Sequence, residues 1–225
     1  MSKKTYDVET RGLSAVIFGA PTSLLPHLLK AFESRGVQAL VPDNLAQLTQ
    51  LRLTNDLDYL VVFDHPPLDE FLPLLQTTLH SRESHLYQIV GEGEIVTLPL
   101  SPVTKIIHPC DYLSEDTLAS PTLSSWLSQA STSHALTLAG DGLTSVSLLS
   151  ALDLAELLVR EILLPTNSSA PVVQLGNPNT LSALNLAYFI RTHLPYKISL
   201  SFDTSSPTPL PQSPDYTSTF ARLDY

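Results

Sequence analysis

The chain has a single cysteine, Cys110, and one methionine and one tryptophan among its 225 residues. A lone thiol excludes an intrachain disulfide and a zinc site built from the cysteines of one chain. A reducing, cytoplasmic setting is the expectation. Charged residues are sparse at 15%, and positive ones sparser: 12 Lys and Arg stand against 22 Asp and Glu, for a formal net charge of −10. Recognition of a phosphate backbone needs clustered Lys and Arg, so nucleic acid is not expected as a partner. No uninterrupted apolar run reaches the roughly 18 residues that a membrane helix needs. The opening Met-Ser-Lys-Lys-Thr-Tyr-Asp-Val-Glu has no apolar signal core. Neither a membrane nor export is expected.

Apolar side chains are plentiful. Hydrophobic residues make up 43% of the chain, more than a disordered chain carries. With so few charges to cover it, some of that surface is left for a partner. The length suits one domain over residues 1–203, followed by an extended Pro/Ser/Thr-rich tail over residues 204–225.

Ser14-Ala-Val-Ile-Phe18 reads as a buried strand running into the turn Gly19-Ala20-Pro21-Thr22-Ser23. Leu24, Leu25, Leu28, Leu29 and Phe32 then recur at helical spacing over residues 24–34, and Gly36 ends the helix. Residues 37–41 form a second strand, closing on Asp43. An amphipathic helix over residues 44–53 leads to Asp58-Tyr-Leu-Val-Val-Phe63-Asp64, whose apolar run suits a strand buried on both faces. The alternation continues with a helix over residues 68–79 and strands over residues 86–90 and 105–108. A helix over residues 118–129 and a strand over residues 135–138 follow. Next come a helix over residues 150–164, a strand over residues 171–175, and a helix over residues 182–193 capped by Ser182. Strand and helix in turn imply a doubly wound parallel sheet with helices on both faces, an α/β fold of Rossmann type.

Several motifs lie on this framework. Leu138-Ala-Gly140-Asp141-Gly142 precedes Ser150-Ala-Leu-Asp153-Leu-Ala155, and Val172-Val-Gln-Leu-Gly176 precedes Leu181-Ser-Ala-Leu-Asn-Leu-Ala187. In that order they resemble the "GDG", "DDvA", "vyNiG" and "slleLa" segments of the extended short-chain dehydrogenase/reductase family, the NAD-dependent epimerase/dehydratases of nucleotide sugars. Asp215-Tyr-Thr-Ser-Thr-Phe-Ala-Arg-Leu-Asp-Tyr225 is similar to the family's "D.skA...LGw" segment. Family members usually continue beyond it, which implies a truncated C-terminal lobe.

The resemblance implies a dinucleotide turn of the form GAxGxxG and a catalytic tyrosine with a lysine four positions later. The turn keeps Gly19 and Ala20 but places Thr22 and Leu25 at the second and third glycines. A β-carbon at Thr22 would crowd the pyrophosphate, and Leu25 at the helix–sheet contact would push the helix away. The vestigial cofactor residues are then Gly19, Ala20, Thr22, Asp43 and Asp64, with Asp43 more often a turn or cap residue than a ribose ligand.

No tyrosine has the lysine: Tyr6, Tyr59, Tyr87, Tyr112, Tyr188 and Tyr196 are followed at that spacing by Thr10, Phe63, Gly91, Asp116, Thr192 and Leu200. The interval of residues 94–103, where the catalytic helix would lie, is short and holds Pro99 and Pro102. Val146 stands where the family often has a diphosphate-binding arginine. No residue is assigned a catalytic role. The expectation is a pseudoenzyme with no resident cofactor, NAD(P) binding weakly or in an altered pose if at all. It would act as a binding or scaffold module that pairs with itself or with an intact epimerase-like relative.

The alternatives are an active epimerase/dehydratase or reductase using Tyr112, Ser101 or His108, and a nucleotide or small-ligand sensor using the crevice beyond the strand ends. His65, His80, His85 and His108 lack metal-ligand spacing. Cys110 lies beside His108 but across Pro109, so a structural thiol is expected.

Overall fold

The computed structural model describes residues 12–44, 47, 57–63, 85–90, 104–114, 121–164, 172–205 and 216–223. By internal contacts the chain divides into two compact units. The first comprises Met1–His108 and Ala155–Val173, the second Pro109–Leu154 and Gln174–Tyr225.

The first unit is built on a parallel sheet. Strands β1 (Ser14–Phe18), β2 (Gln38–Leu40), β3 (Tyr59–Phe63), β4 (His85–Ile89) and β5 (Thr104–Pro109) form it, with β10 (Val172–Leu175) at one edge. The order is β10-β5-β4-β3-β1-β2. β1 pairs in parallel with β2 and β3, β3 with β4, and β4 with β5. Val16, Leu60, Val62 and Leu86 bury one face. Burial on both faces is why β3 reads as an unbroken apolar run rather than an alternating one.

Helix α1 (Leu25–Glu33) buries Leu28, Ala31 and Phe32, and Gly36, at φ 71°, gives the chain its turn back into β2. The carboxylate of Asp58, just before β3, accepts from the Ser14 backbone N–H at 2.8 Å and ties the starts of the two central strands together.

The second unit is organised around short strands and two helices. β6 (Asp111–Leu113) pairs with β9 (Leu148–Ser150), and β7 (Ala135–Ala139) pairs in parallel with β12 (Ser199–Asp203). β8 (Ser145–Val146) pairs with β11 (Leu181–Ser182). Its core joins Leu123, Trp126 and Ala130 of α2 (Pro121–Ser133) to Leu136 and Leu138 of β7. Leu186, Ala187 and Ile190 of α4 (Ala183–His193) complete it. Helix α3 (Ala151–Leu163) belongs to the first unit from Ala155 onward, and α5 (Tyr216–Arg222) is the last helix described.

Three expectations need correcting. The helix read over residues 118–129 extends to Ser133, its last hydroxyls, those of Ser131, Thr132 and Ser133, bonding carbonyls three or four residues back within the helix instead of ending it. It ends on His134 in the left-handed region, at φ 52°. The strand β12 was not anticipated. The extended tail gives way at Tyr216 to a helix whose Tyr216 side chain is buried, with buried Leu223 following it.

The expected helices over residues 44–53 and 68–79, the interval of residues 94–103 and most of the Pro-rich segment lie outside the described residues. No described helix is long and apolar enough to cross a membrane.

Candidate functional site

In open α/β sheets ligands settle beyond the carboxyl ends of the strands where the strand order reverses. Here that point lies between β1 and β3, since the chain runs from β1 outward to β2 and then, through β3, to the other side. The turn after β1 starts with Gly19 at φ 74°, a conformation that favours glycine. Pro21 carries the bend onward, its carbonyl accepting from the N–H groups of Leu24 and Leu25, both at 2.9 Å. No side chain caps α1, and Pro26 in its first turn has no N–H to offer. Ala20 is half-buried and Thr22 exposed. The helix packs through Leu24, 1% exposed, while Leu25 is only half-buried. The third glycine position is therefore not the tight helix–sheet contact that the motif suggested.

Asp43 is exposed and serves the local chain. Its N–H donates to Gln47 Oε1 at 2.8 Å, the Gln47 amide reaches back to its carboxylate, and Asn44 Oδ1 accepts from the Gln47 N–H. These are the reciprocal bonds of a helix start. Asp64 and Ser101 lie outside the described residues. His108 is half-buried near the end of β5. Tyr112 is buried on β6 opposite Leu149. Cys110 is buried, its N–H donating to the Leu175 carbonyl and its thiol lying 3.3 Å from the Asp111 carbonyl. No group of three or more potential metal ligands occurs among the described residues.

One cluster of ionisable groups in the first unit was missed. Lys105 on β5 and Glu161 on α3 form a buried ion pair at 2.8 Å, with side chains 6% and 0% exposed. Tyr87 stands opposite Lys105 in the β4–β5 register, and the Lys105 ammonium lies 5.8 Å from the centre of its ring. The Tyr87 hydroxyl donates to the Ile162 carbonyl at 2.7 Å. Burial above all, then Tyr59 and the Glu161 carboxylate, push this phenol's pKa well above its ordinary value. A signal for the pair existed: a lysine inside a strand and a glutamate amid an apolar helix must find partners if the sheet is covered. On the other face of β4, the amide of Gln88 is 1% exposed and has no hydrogen-bond partner among the described residues.

No family model matches the chain, and a search of curated proteins gives no significant match. Solved structures do match. A GDP-L-fucose synthetase from Naegleria fowleri superposes with a TM-score of 0.65 at 9% identity, covering 93% of this chain and 87% of that one. A dTDP-4-dehydrorhamnose reductase from Clostridium acetobutylicum gives 0.59 at 13% identity, covering 87% and 86%. The UDP-N-acetylglucosamine 4-epimerase of Bacillus cereus gives 0.55 at 14% identity, covering 95% and 93%. At such identities the likeness is one of fold, and by fold this is a Rossmann-like α/β chain built as those epimerases and reductases are.

Proposed function

We propose that the chain is a non-catalytic epimerase/dehydratase-like protein, a pseudoenzyme that acts as a binding or scaffold module for a second copy of itself or an intact epimerase-like relative. The fate of Tyr87 and Lys105 carries this reading. A tyrosine acid/base needs an accessible hydroxyl and a nearby ammonium that lowers its pKa. Here the hydroxyl is spent on a backbone carbonyl, the ammonium on a buried carboxylate, and the phenol's pKa moves upward.

Two further observations support it. No tyrosine in the sequence is followed by a lysine four positions on. The residues at the turn do not fit a dinucleotide in the family's usual pose: Thr22 puts a side chain on its exposed surface, and Asp43 is engaged by Gln47. No resident NAD(P) is part of this reading.

A second reading, an active nucleotide-sugar epimerase/dehydratase or reductase with a non-standard site, is favoured by the names of the enzymes that share the fold. The purified chain is incubated with NAD(P)H and keto-sugars linked to GDP, dTDP or UDP while nicotinamide absorbance is followed. Absorbance that stays at the blank rate is expected. Turnover abolished by Tyr112→Phe or His108→Ala would overturn the proposal.

A further inference from the structure

The acidity of the chain is unevenly spread. Neither residues 121–140 nor residues 174–202 contain an aspartate or a glutamate. Those stretches hold α2, β7 and α4, the core of the second unit, and Arg191 and Lys197 fall within them. Both cations are exposed, and neither forms an ion pair with a described residue. Asp203, at the far end of β12, is roughly 13 Å from Ser199 at the usual strand rise.

Aromatic rings are exposed on the same elements. Phe189, 59% exposed on the outer face of α4, stacks on His193 with ring centres 4.1 Å apart. Tyr196 stacks on His134 at 4.7 Å. The His134 carbonyl accepts from the Ser199 N–H, which holds that pair at the start of β7 and β12. Tyr188, next to Phe189, is 49% exposed. Arg191 and His193 suit the negative end of the α4 dipole, but that role accounts for neither Lys197 nor the exposed rings. Exposed aromatic side chains and arginine are the residue types from which protein-binding hot spots are usually made.

We infer that the C-terminal end of α4 and the connection to β12, carrying Phe189, Arg191, His193, Tyr196 and Lys197 with His134 beside them, form a docking surface for an acidic protein segment bearing apolar side chains. Charge complementarity selects the occupant. Two cations with no ion-pair partner among the described residues, in stretches free of acidic residues on a chain of net charge −10, attract carboxylates locally, while the rest of the surface repels extended polyanions. The partner's apolar side chains cover Phe189 and Tyr188. The inference rests on the scaffold reading only in expecting a protein partner, because the patch would be unaffected by turnover elsewhere.

Fluorescence anisotropy with the full chain tests it. The probe is a short labelled peptide alternating glutamate and leucine, compared with a lysine–leucine peptide, a single-stranded RNA and phosphatidylserine vesicles. Saturable binding of the acidic peptide is expected, falling at least about tenfold in Arg191→Glu/Lys197→Glu and in Phe189→Ala and weakening as salt rises. Ser124→Glu, an exposed change outside the patch, leaves it unchanged.

The absence of binding up to about millimolar chain, equal binding of the lysine–leucine peptide, or indifference to the patch variants overturns the inference. Preference for the RNA or the vesicles overturns it in favour of that ligand. Self-association abolished by the same variants does so in favour of a second copy. Cofactor binding is measured separately, so failure here and failure of the scaffold reading are told apart.

Discussion

Gly176 lies against the ring of Tyr216: a β-carbon at that glycine would stand 2.5 Å from Tyr216 Cε1 and 2.6 Å from Cζ. The contact joins the turn after β10 to the C-terminal helix within the second unit, and its closeness leaves no room for a methyl group.

Gly176→Ala should therefore destabilise the chain by about 1–3 kcal/mol, the usual cost of overpacking. The effect is not additive with loss of the ring. In a Tyr216→Ala background the same change should cost little, and urea unfolding of the four combinations reads the coupling directly. Equal costs in both backgrounds would show that the ring does not set the requirement for glycine.

The buried pair Lys105–Glu161 makes a second prediction. Lys105→Met takes the ammonium away from Glu161, a carboxylate at 0% exposure, and removal of one partner of such a pair costs about 3–5 kcal/mol. Replacing both, as Lys105→Met with Glu161→Leu, should recover most of that loss. A double variant as unstable as the single one would contradict the pairing.

Tyr87 should make the fold sensitive to alkali. Its folded pKa is raised, chiefly by burial, whereas the unfolded phenol titrates near its ordinary value of about 10. Below that value the contribution is fully present. Above it the unfolded chain loses a proton that the folded chain retains, so stability falls as pH rises. Tyr59 is shifted in the same direction. Tyr87→Phe should thus reduce, not abolish, the alkaline slope, while costing about 1 kcal/mol near neutrality through the lost hydrogen bond. Thermal unfolding across alkaline pH measures both.

Gln88 is a polar group buried without a described partner, a circumstance that costs about 1–3 kcal/mol. Gln88→Met keeps the volume and removes the unsatisfied amide, so a higher midpoint of thermal denaturation is expected. A lower one would mean that the amide is held by a contact outside the described residues.

The sequence was most legible where one signal sufficed. Unbroken apolar runs marked β1 and β3, Gly36 marked the end of α1, and Ser182 was read as a cap and accepts from the Asn185 N–H at 3.1 Å. Strand β12 was missed because Ser-Leu-Ser-Phe-Asp is short and exposed at four of its five positions. Its alternation brings Leu200 and Phe202 into register with Leu136 and Leu138, a pairing from across the chain that local pattern does not reveal.

The candidate site was partly legible. Gly19 has the positive φ that its place in the motif requires, and Asp43 is bonded to the Gln47 side chain beside Asn44, whose Oδ1 accepts from the Gln47 N–H as a cap does. Lys105 and Glu161 were not paired in advance, since their meeting depends on α3 returning over β5 from far along the sequence.

Isothermal titration of the purified chain with NAD(H) and NADP(H) tests the central claim most directly. On the proposed reading the chain should give no binding heat and no thermal shift up to about millimolar cofactor. A dissociation constant at or below tens of micromolar, roughly −6 kcal/mol or better, would contradict the account and return the chain to the enzymes whose fold it shares.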